Sequence, residues 1–151
     1  GFFRRGEPDF SEGATVLFVG DVMVDRAVGR KIATEGLDHV LGSVKRLLFG
    51  SDFVVGNFEG TVSASTSPAA PAGSLQFIIA PQDFPPLSAA GFTHFSLANN
   101  HAGDAGREGL ATTRRFFPER GLVPFGDPFA EGGFAATTGA RILSVDPDSK
   151  K

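Results

Sequence analysis

Three apolar runs end in side chains able to do chemistry: Val16-Leu17-Phe18-Val19-Gly20-Asp21, Phe53-Val54-Val55-Gly56-Asn57-Phe58-Glu59 and Phe95-Ser96-Leu97-Ala98-Asn99-Asn100-His101. Carboxylates, amides and imidazole supply the oxygen and nitrogen donors that divalent metals accept. Imidazole also moves protons near neutral pH. Asn57 and Glu59 stand two apart, so in extended backbone both side chains point the same way. An amide oxygen beside a carboxylate is a pairing suited to a hard cation, whereas a Gly56-Asn57 turn with Glu59 exposed is the plainer alternative. Asn99-Asn100-His101 is the most specific of the three clusters. It offers an amide ligand next to a metal-binding or acid-base imidazole, against an Asn-rich turn in left-handed conformations. Asp21 either ligates metal on a tight turn or caps the following helix, and Asp25 reads as a helix cap. Asp104 either orients His101 or caps the helix that follows it. His39 and His94 read as structural or exposed residues.

Such residues meet only if the chain brings its strand ends together, and the pattern between them supplies the means. Residues 14–19 form a continuous run of β formers, the signature of a strand covered on both faces. Residues 25–49 carry Val28, Ile32, Leu37, Leu41, Val44 and Leu48 at helical spacing, with Gly36 as a break and Asp38 as a start signal for the second helix. Residues 52–57 form a second strand. Residues 63–74 are rich in Ser, Ala, Thr, Pro and Gly and read as a loop. A short extended run over 75–80 stops at Pro81, and Pro85-Pro86 open a short helix that Gly91 ends. Residues 93–98 are a third strand and 107–120 a helix whose Leu110, Arg114 and Phe117 share a face, with Gly121 as its stop. A fourth strand covers 122–125, and residues 134–145 suggest a hairpin around Thr138-Gly139. Alternating strands and helices predict an α/β fold with a mostly parallel sheet and flanking helices. Such sheets place ligands beyond the carboxyl ends of their strands. Residues 1–13 read as a leader or linker, 14–145 as the domain and 146–151 as a polar tail.

Composition narrows the classes of function. The 151 residues carry a formal net charge of −3 and no basic block, which excludes a phosphate-tracking nucleic-acid surface. Cysteine is absent, which removes disulfides, thiolate metal ligands and thiol nucleophiles. No apolar run approaches the roughly 18 residues of a membrane-spanning helix, so no anchor is expected within the chain.

Gly20-Asp21-Val22-Met23, Gly56-Asn57-Phe58-Glu59-Gly60 and Ser96-Leu97-Ala98-Asn99-Asn100-His101 with Asp104 and Gly106 resemble the bacterial capsule-synthesis CapA family. That family is associated with poly-γ-glutamate capsules and is related to calcineurin-like metallophosphoesterases. The resemblance spans residues 14–126. It implies a metallophosphoesterase-like α/β sandwich with a divalent ion, Mn²⁺ or Mg²⁺, at the strand ends. Asp21, Glu59 and Asn100 become metal ligands with Asn57 beside Glu59. His101 becomes the catalytic residue that stabilises or protonates a leaving group, with Asp104 as its companion. Met23 stands where the superfamily's Asp-x-His motif has its histidine, and no histidine follows His101. The resemblance therefore implies a partial domain lacking its C-terminal half, an open metal site completed by water, and a tendency to associate with further copies. The implied function is capsule biosynthesis with a metal-dependent hydrolase site acting on an acidic polymer or a phosphorylated small substrate. The alternatives are a non-catalytic component that binds polymer or a partner, and a truncated inactive relative. The family works at the cell envelope, beside membrane-bound capsule-synthesis partners.

Overall fold

Parallel pairing of four short strands forms the centre of the molecule. The structure, a computed structural model, describes residues 13–65 and 74–129. Most of the 1–13 leader and of the 63–74 loop, the 134–145 hairpin and the 146–151 tail lie outside the described residues. The strands are β1 (Val16–Val22), β2 (Phe53–Phe58), β5 (His94–Ser96) and β6 (Val123–Phe125), hydrogen-bonded in the order β1-β2-β5-β6. All three pairings are parallel, as expected when helices connect successive strands. A second, two-stranded parallel sheet pairs β3 (Thr61–Val62) with β4 (Ile78–Ile79). The expected α/β architecture with a parallel sheet and flanking helices is thus observed.

One irregularity in the central sheet bears directly on the chemistry. The β1–β2 register runs Phe18 opposite Val55, then resumes with Asp21 opposite Asn57. Val19 and Gly20 therefore face the single residue Gly56, the count of a β-bulge. A regular ladder would set Asp21 opposite Phe58. The extra residue moves it back by one position and places it level with Asn57.

Residues 25–49 are helical with the expected break at Gly36. They form α1 (Arg26–Glu35), α2 (Leu37–Leu41), a 3₁₀ turn (Gly42–Val44) and α3 (Lys45–Phe49). Asp25 caps α1, its Oδ1 accepting the Arg26 N–H at 2.6 Å. Asp38 makes no capping bond; it lies in the first turn of α2 and pairs with Lys45 at 2.8 Å. The 107–120 helix is α4 (Gly106–Phe116) followed by a 3₁₀ turn (Pro118–Arg120). Pro118 has no N–H to continue the ladder. Gly91 and Gly121 close the 3₁₀ turns before them with φ of 107° and 71°, a region in which only glycine sits without a Cβ clash. Leu110 and Phe117 bury the inner face of α4 with Thr113 and Phe116, while Arg114 sits at its rim and pairs with Asp127 at 3.1 Å.

The sequence has 16 Phe and neither Tyr nor Trp, and several of those rings form the core. Phe58, Phe95 and Phe117 are fully buried and Phe84 nearly so. The Phe58 ring meets Phe117 at 4.9 Å and Phe95 at 6.0 Å, both edge to face, and Phe84 lies 5.5 Å from Phe117. These separations suit favourable aromatic pairs. Such a core needs rings without a polar atom, because a buried hydroxyl or indole N–H would need a partner.

β1 corrects one expectation. It is not covered on both faces. It stands at the end of the strand order, and its residues alternate: Leu17 and Val19 are half-buried while Val16 and Phe18 are exposed, Phe18 by 75%. An unbroken apolar run cannot by itself distinguish a central strand from an edge strand with one open face.

Candidate functional site

The carboxyl ends of β1, β2 and β5 deliver their polar residues to one place. Asp21 ends up level with Asn57, and the Asn57 Nδ2 donates to Asp21 Oδ1 at 2.7 Å. Asn57 in turn stands opposite Ser96 on β5. Just beyond β5 the chain turns, and Asn99 returns to the sheet: its Nδ2 donates to Asn57 Oδ1 at 3.0 Å and to the Phe58 carbonyl at 2.8 Å. The Asn99 Oδ1 then accepts the backbone N–H of His101 at 2.9 Å. An unbroken relay of hydrogen bonds therefore links Asp21, Asn57, Asn99 and the His101 backbone across three strands.

His101 is held on every side. Its Nδ1 lies 2.9 Å from Asp104 Oδ2, which also accepts the Phe77 N–H at 2.6 Å. A carboxylate oxygen accepts here, so Nδ1 is the donor and Nε2 is left free to take or give a proton. The Phe77 ring packs on the imidazole at 4.3 Å. Beneath it, the hydroxyl of Thr61, fully buried on β3, donates to the carbonyls of His101 and Ala102 at 2.8 and 2.9 Å. Nε2 points to Glu59 Oε1 at 3.8 Å. That gap exceeds hydrogen-bond reach. The His101 and Asp104 side chains retain 14% and 13% of their exposure and Glu59 25%, so this corner is recessed but open.

Asp21, Asn57, Glu59, His101 and Asp104 are therefore brought into one connected cluster. Asp104 contacts His101 and not the start of α4, whose N-cap, Ala105, makes no side-chain capping bond. Asp21 does not cap α1; Asp25 does. Asn100 stands apart. It is exposed and makes no side-chain hydrogen bond to another described residue. Its neighbour Asn99 occupies the inner position that two identical side chains in sequence left undecided. Thr61 and Phe77 also belong to the site and carry no sequence signal, since a Thr and a Phe in short apolar segments look like ordinary packing. His39 is exposed and pairs with Glu35 at 2.9 Å, and His94 packs edge-on against Phe53, both outside the cluster.

The donor set can be tested against a metal. Oxygen predominates: carboxylates of Asp21 and Glu59 with amides between them, a composition that fits a hard cation able to keep several waters. No three His, Cys, Asp or Glu side chains among the described residues gather closely enough to form a charged cage. The donor types suit a hard cation, but the described residues form no closed cage around one.

A parallel α/β domain with an acidic, amide-rich cluster and an oriented histidine at its strand ends is the class that fold and site define. Residues 15–133 match the family described as bacterial capsule synthesis protein PGA_cap, and the chain belongs to that family. It is 32% identical over 167 residues to the capsule biosynthesis protein CapA of Bacillus anthracis, covering 91% of this chain and 41% of that protein. To the PGA biosynthesis protein CapA of Bacillus subtilis (strain 168) it is 30% identical over 105 residues, 70% of this chain and 28% of that protein. To the protein y4uA of Sinorhizobium fredii it is 33% identical over 138 residues, 89% of this chain and 28% of that one. The chain spans well under half the length of each of these relatives. No helix among the described residues is long and apolar enough to cross a membrane.

Proposed function

We propose that this chain serves bacterial capsule biosynthesis at the cell envelope, acting on poly-γ-glutamate or its phosphorylated precursor beside membrane-bound partners through a metal-dependent hydrolytic site of phosphoesterase type. Membership of the capsule synthesis family supports the first part. The observation that carries the second is His101, its Nδ1 tied to Asp104 at 2.9 Å and its Nε2 facing Glu59 across 3.8 Å. Asp21 and Glu59 would hold a divalent ion, Mn²⁺ or Mg²⁺, with amide oxygen from Asn57. Asn100 joins them only if the turn carrying it rearranges. Such an ion, when bound, polarises the scissile group and activates water. The protein's own part is positional. Asp104 fixes the imidazole so that Nε2 faces the open corner, where it can protonate a leaving oxygen. Phe77 covers one face of the ring and keeps water from it.

Two measurements test this. Mn²⁺ or Mg²⁺ is expected to raise the melting temperature of the wild-type chain and of His101→Ala, but not of Glu59→Ala, because only a ligand bound to the native state stabilises it. Hydrolysis of an aryl phosphate is expected to fall about 100-fold or more in His101→Ala, the usual weight of a general acid. Absence of any metal-dependent shift overturns the metal site. A shift without turnover favours a second reading, a non-catalytic component that binds polymer. The absence of a three-carboxylate or histidine cage among the described residues supports that reading.

A further inference from the structure

We infer that the cavity between α1 and the segment from β4 to Asp83 is a separate subsite that grips an oxyanion of the ligand through Arg26 and Arg30; this rests on the reading of the chain as a binder of acidic polymer or phosphorylated substrate. The cavity has a volume of about 530 Å³. That is the size range of small-molecule sites. Ile32, Ile78 and Ile79 give it an apolar wall, and Arg26, Arg30 and Asp83 give it charge.

The two arginines are four residues apart and so occupy one face of α1, one turn above the other. Like charges so placed weaken a helix unless something answers them. Neither guanidinium has a carboxylate partner among the described residues. Asp25 lies beside them in the cavity, but backbone donors engage it: Oδ1 accepts the Arg26 N–H and Oδ2 the Ile78 N–H at 3.2 Å. Asp83 is the remaining acid on the rim. The lining thus carries two guanidinia and two carboxylates, but both Asp25 oxygens already accept backbone N–H groups, so among the described residues the guanidinium donors remain available to a ligand's oxygens. Planar guanidinium forks also match carboxylate and phosphate oxygens.

Arg26 is held there at a cost. Its φ is 54°, which makes it the one non-glycine residue in the left-handed region among the described residues. A long side chain is strained in this conformation, and glycine would relieve it. Its guanidinium lies over the Phe77 ring at 5.6 Å, and the same ring packs on His101 at 4.3 Å. The Phe77 ring thus touches both Arg26, which lines the cavity, and His101. An extended ligand anchored at Arg26 and Arg30 can therefore lead toward His101. Asp83 beside the arginines favours an oxyanion with an amide N–H close by over a compact dianion.

Calorimetric titration in EDTA isolates this subsite from any metal. The probes are a short γ-linked glutamate oligomer and inorganic phosphate, each titrated into the whole chain. Binding of the oligomer is expected, weakened at least tenfold by Arg30→Gln and by Arg26→Gly, and unchanged in Arg115→Gln, an exposed arginine on α4. Arg26→Gly is also expected to melt no lower than the wild type, which separates lost affinity from lost folding. Phosphate binding with the same dependence on both arginines also upholds the oxyanion subsite and identifies a phosphate ester as its ligand. Three outcomes overturn the subsite: no binding of either probe at millimolar concentration, affinity equal to the wild type in both folded arginine variants, or an equal loss of affinity in Arg115→Gln. None of these bears on the metal-induced melting shift, so the hydrolytic site and the subsite fail independently.

Discussion

Asn99 and Asn100 show how one position separates an amide turned into the protein from an exposed one. Asn99 spends both halves of its amide: the nitrogen on Asn57 and the Phe58 carbonyl, the oxygen on the His101 N–H. Removing it strands those partners in a partly buried site, and leaving such groups unsatisfied costs about 1–3 kcal/mol. Asn99→Ala is therefore expected to destabilise by that amount in chemical denaturation. Asn100→Ala, on an exposed side chain, is expected to stay within about 0.5 kcal/mol of the wild type. Asn100 enters the metal site only if Asn100→Ala also reduces the metal-induced melting shift. Sequence could not rank these neighbours, because both carry the same chemistry and only the path of the turn after β5 selects one. Asp104 was undecided for a similar reason: capping and orienting both need a carboxylate near a helix start, and the direction of the side chain decides between them.

At the scale of elements, the site depends on small strands that bear no catalytic group. β3 supplies Thr61, whose buried hydroxyl holds the carbonyls of His101 and Ala102. It is locked in turn by α4, since the Val62 N–H donates to Thr113 Oγ1 at 2.8 Å. Thr61→Val keeps the shape and deletes the hydroxyl. It is expected to cost about 1–3 kcal/mol, because the buried Ala102 carbonyl loses its donor, while that of His101 keeps the Asp104 N–H at 3.2 Å. The amide signals of His101 and Ala102 are expected to shift more than those of β6, measurable by NMR. Gly109 of α4 explains how these elements approach so closely: a Cβ there would sit 2.8 Å from the Thr61 methyl and 2.5 Å from Ala105. The central strands and most helices followed from periodicity and from Gly36, Gly91 and Gly121, whereas β3 and the break at Pro118 inside the expected 107–120 helix did not. The bulge at Val19-Gly20 did not, since its origin lies in pairing with β2 and not in local preference.

For the whole molecule, the open side of β1 is the outstanding feature. Val16 and Phe18 project from an edge strand, and Leu47 on α3 is also exposed, by 64%. Exposed apolar side chains on the strand that ends the sheet order among the described residues promote association. Sedimentation is expected to show concentration-dependent self-association of this chain, reduced in Phe18→Ser. A monomer over the whole range from micromolar to millimolar contradicts this. The relatives extend well beyond the span matched here, so the face that β1 presents in this chain need not be open in them.

The chain's own residue order determined the α/β class and the types of side chain that the strand ends carry. These follow from short-range rules, because hydrophobic period, turn residues and helix stops act over a few residues. Only the tertiary structure decided which of two asparagines turns inward, that Asp104 serves His101, that β1 lies at an edge, and that Arg26 and Arg30 flank a cavity. Each of these depends on contacts between segments tens of residues apart, whose geometry comes from packing and pairing and leaves no local pattern to read.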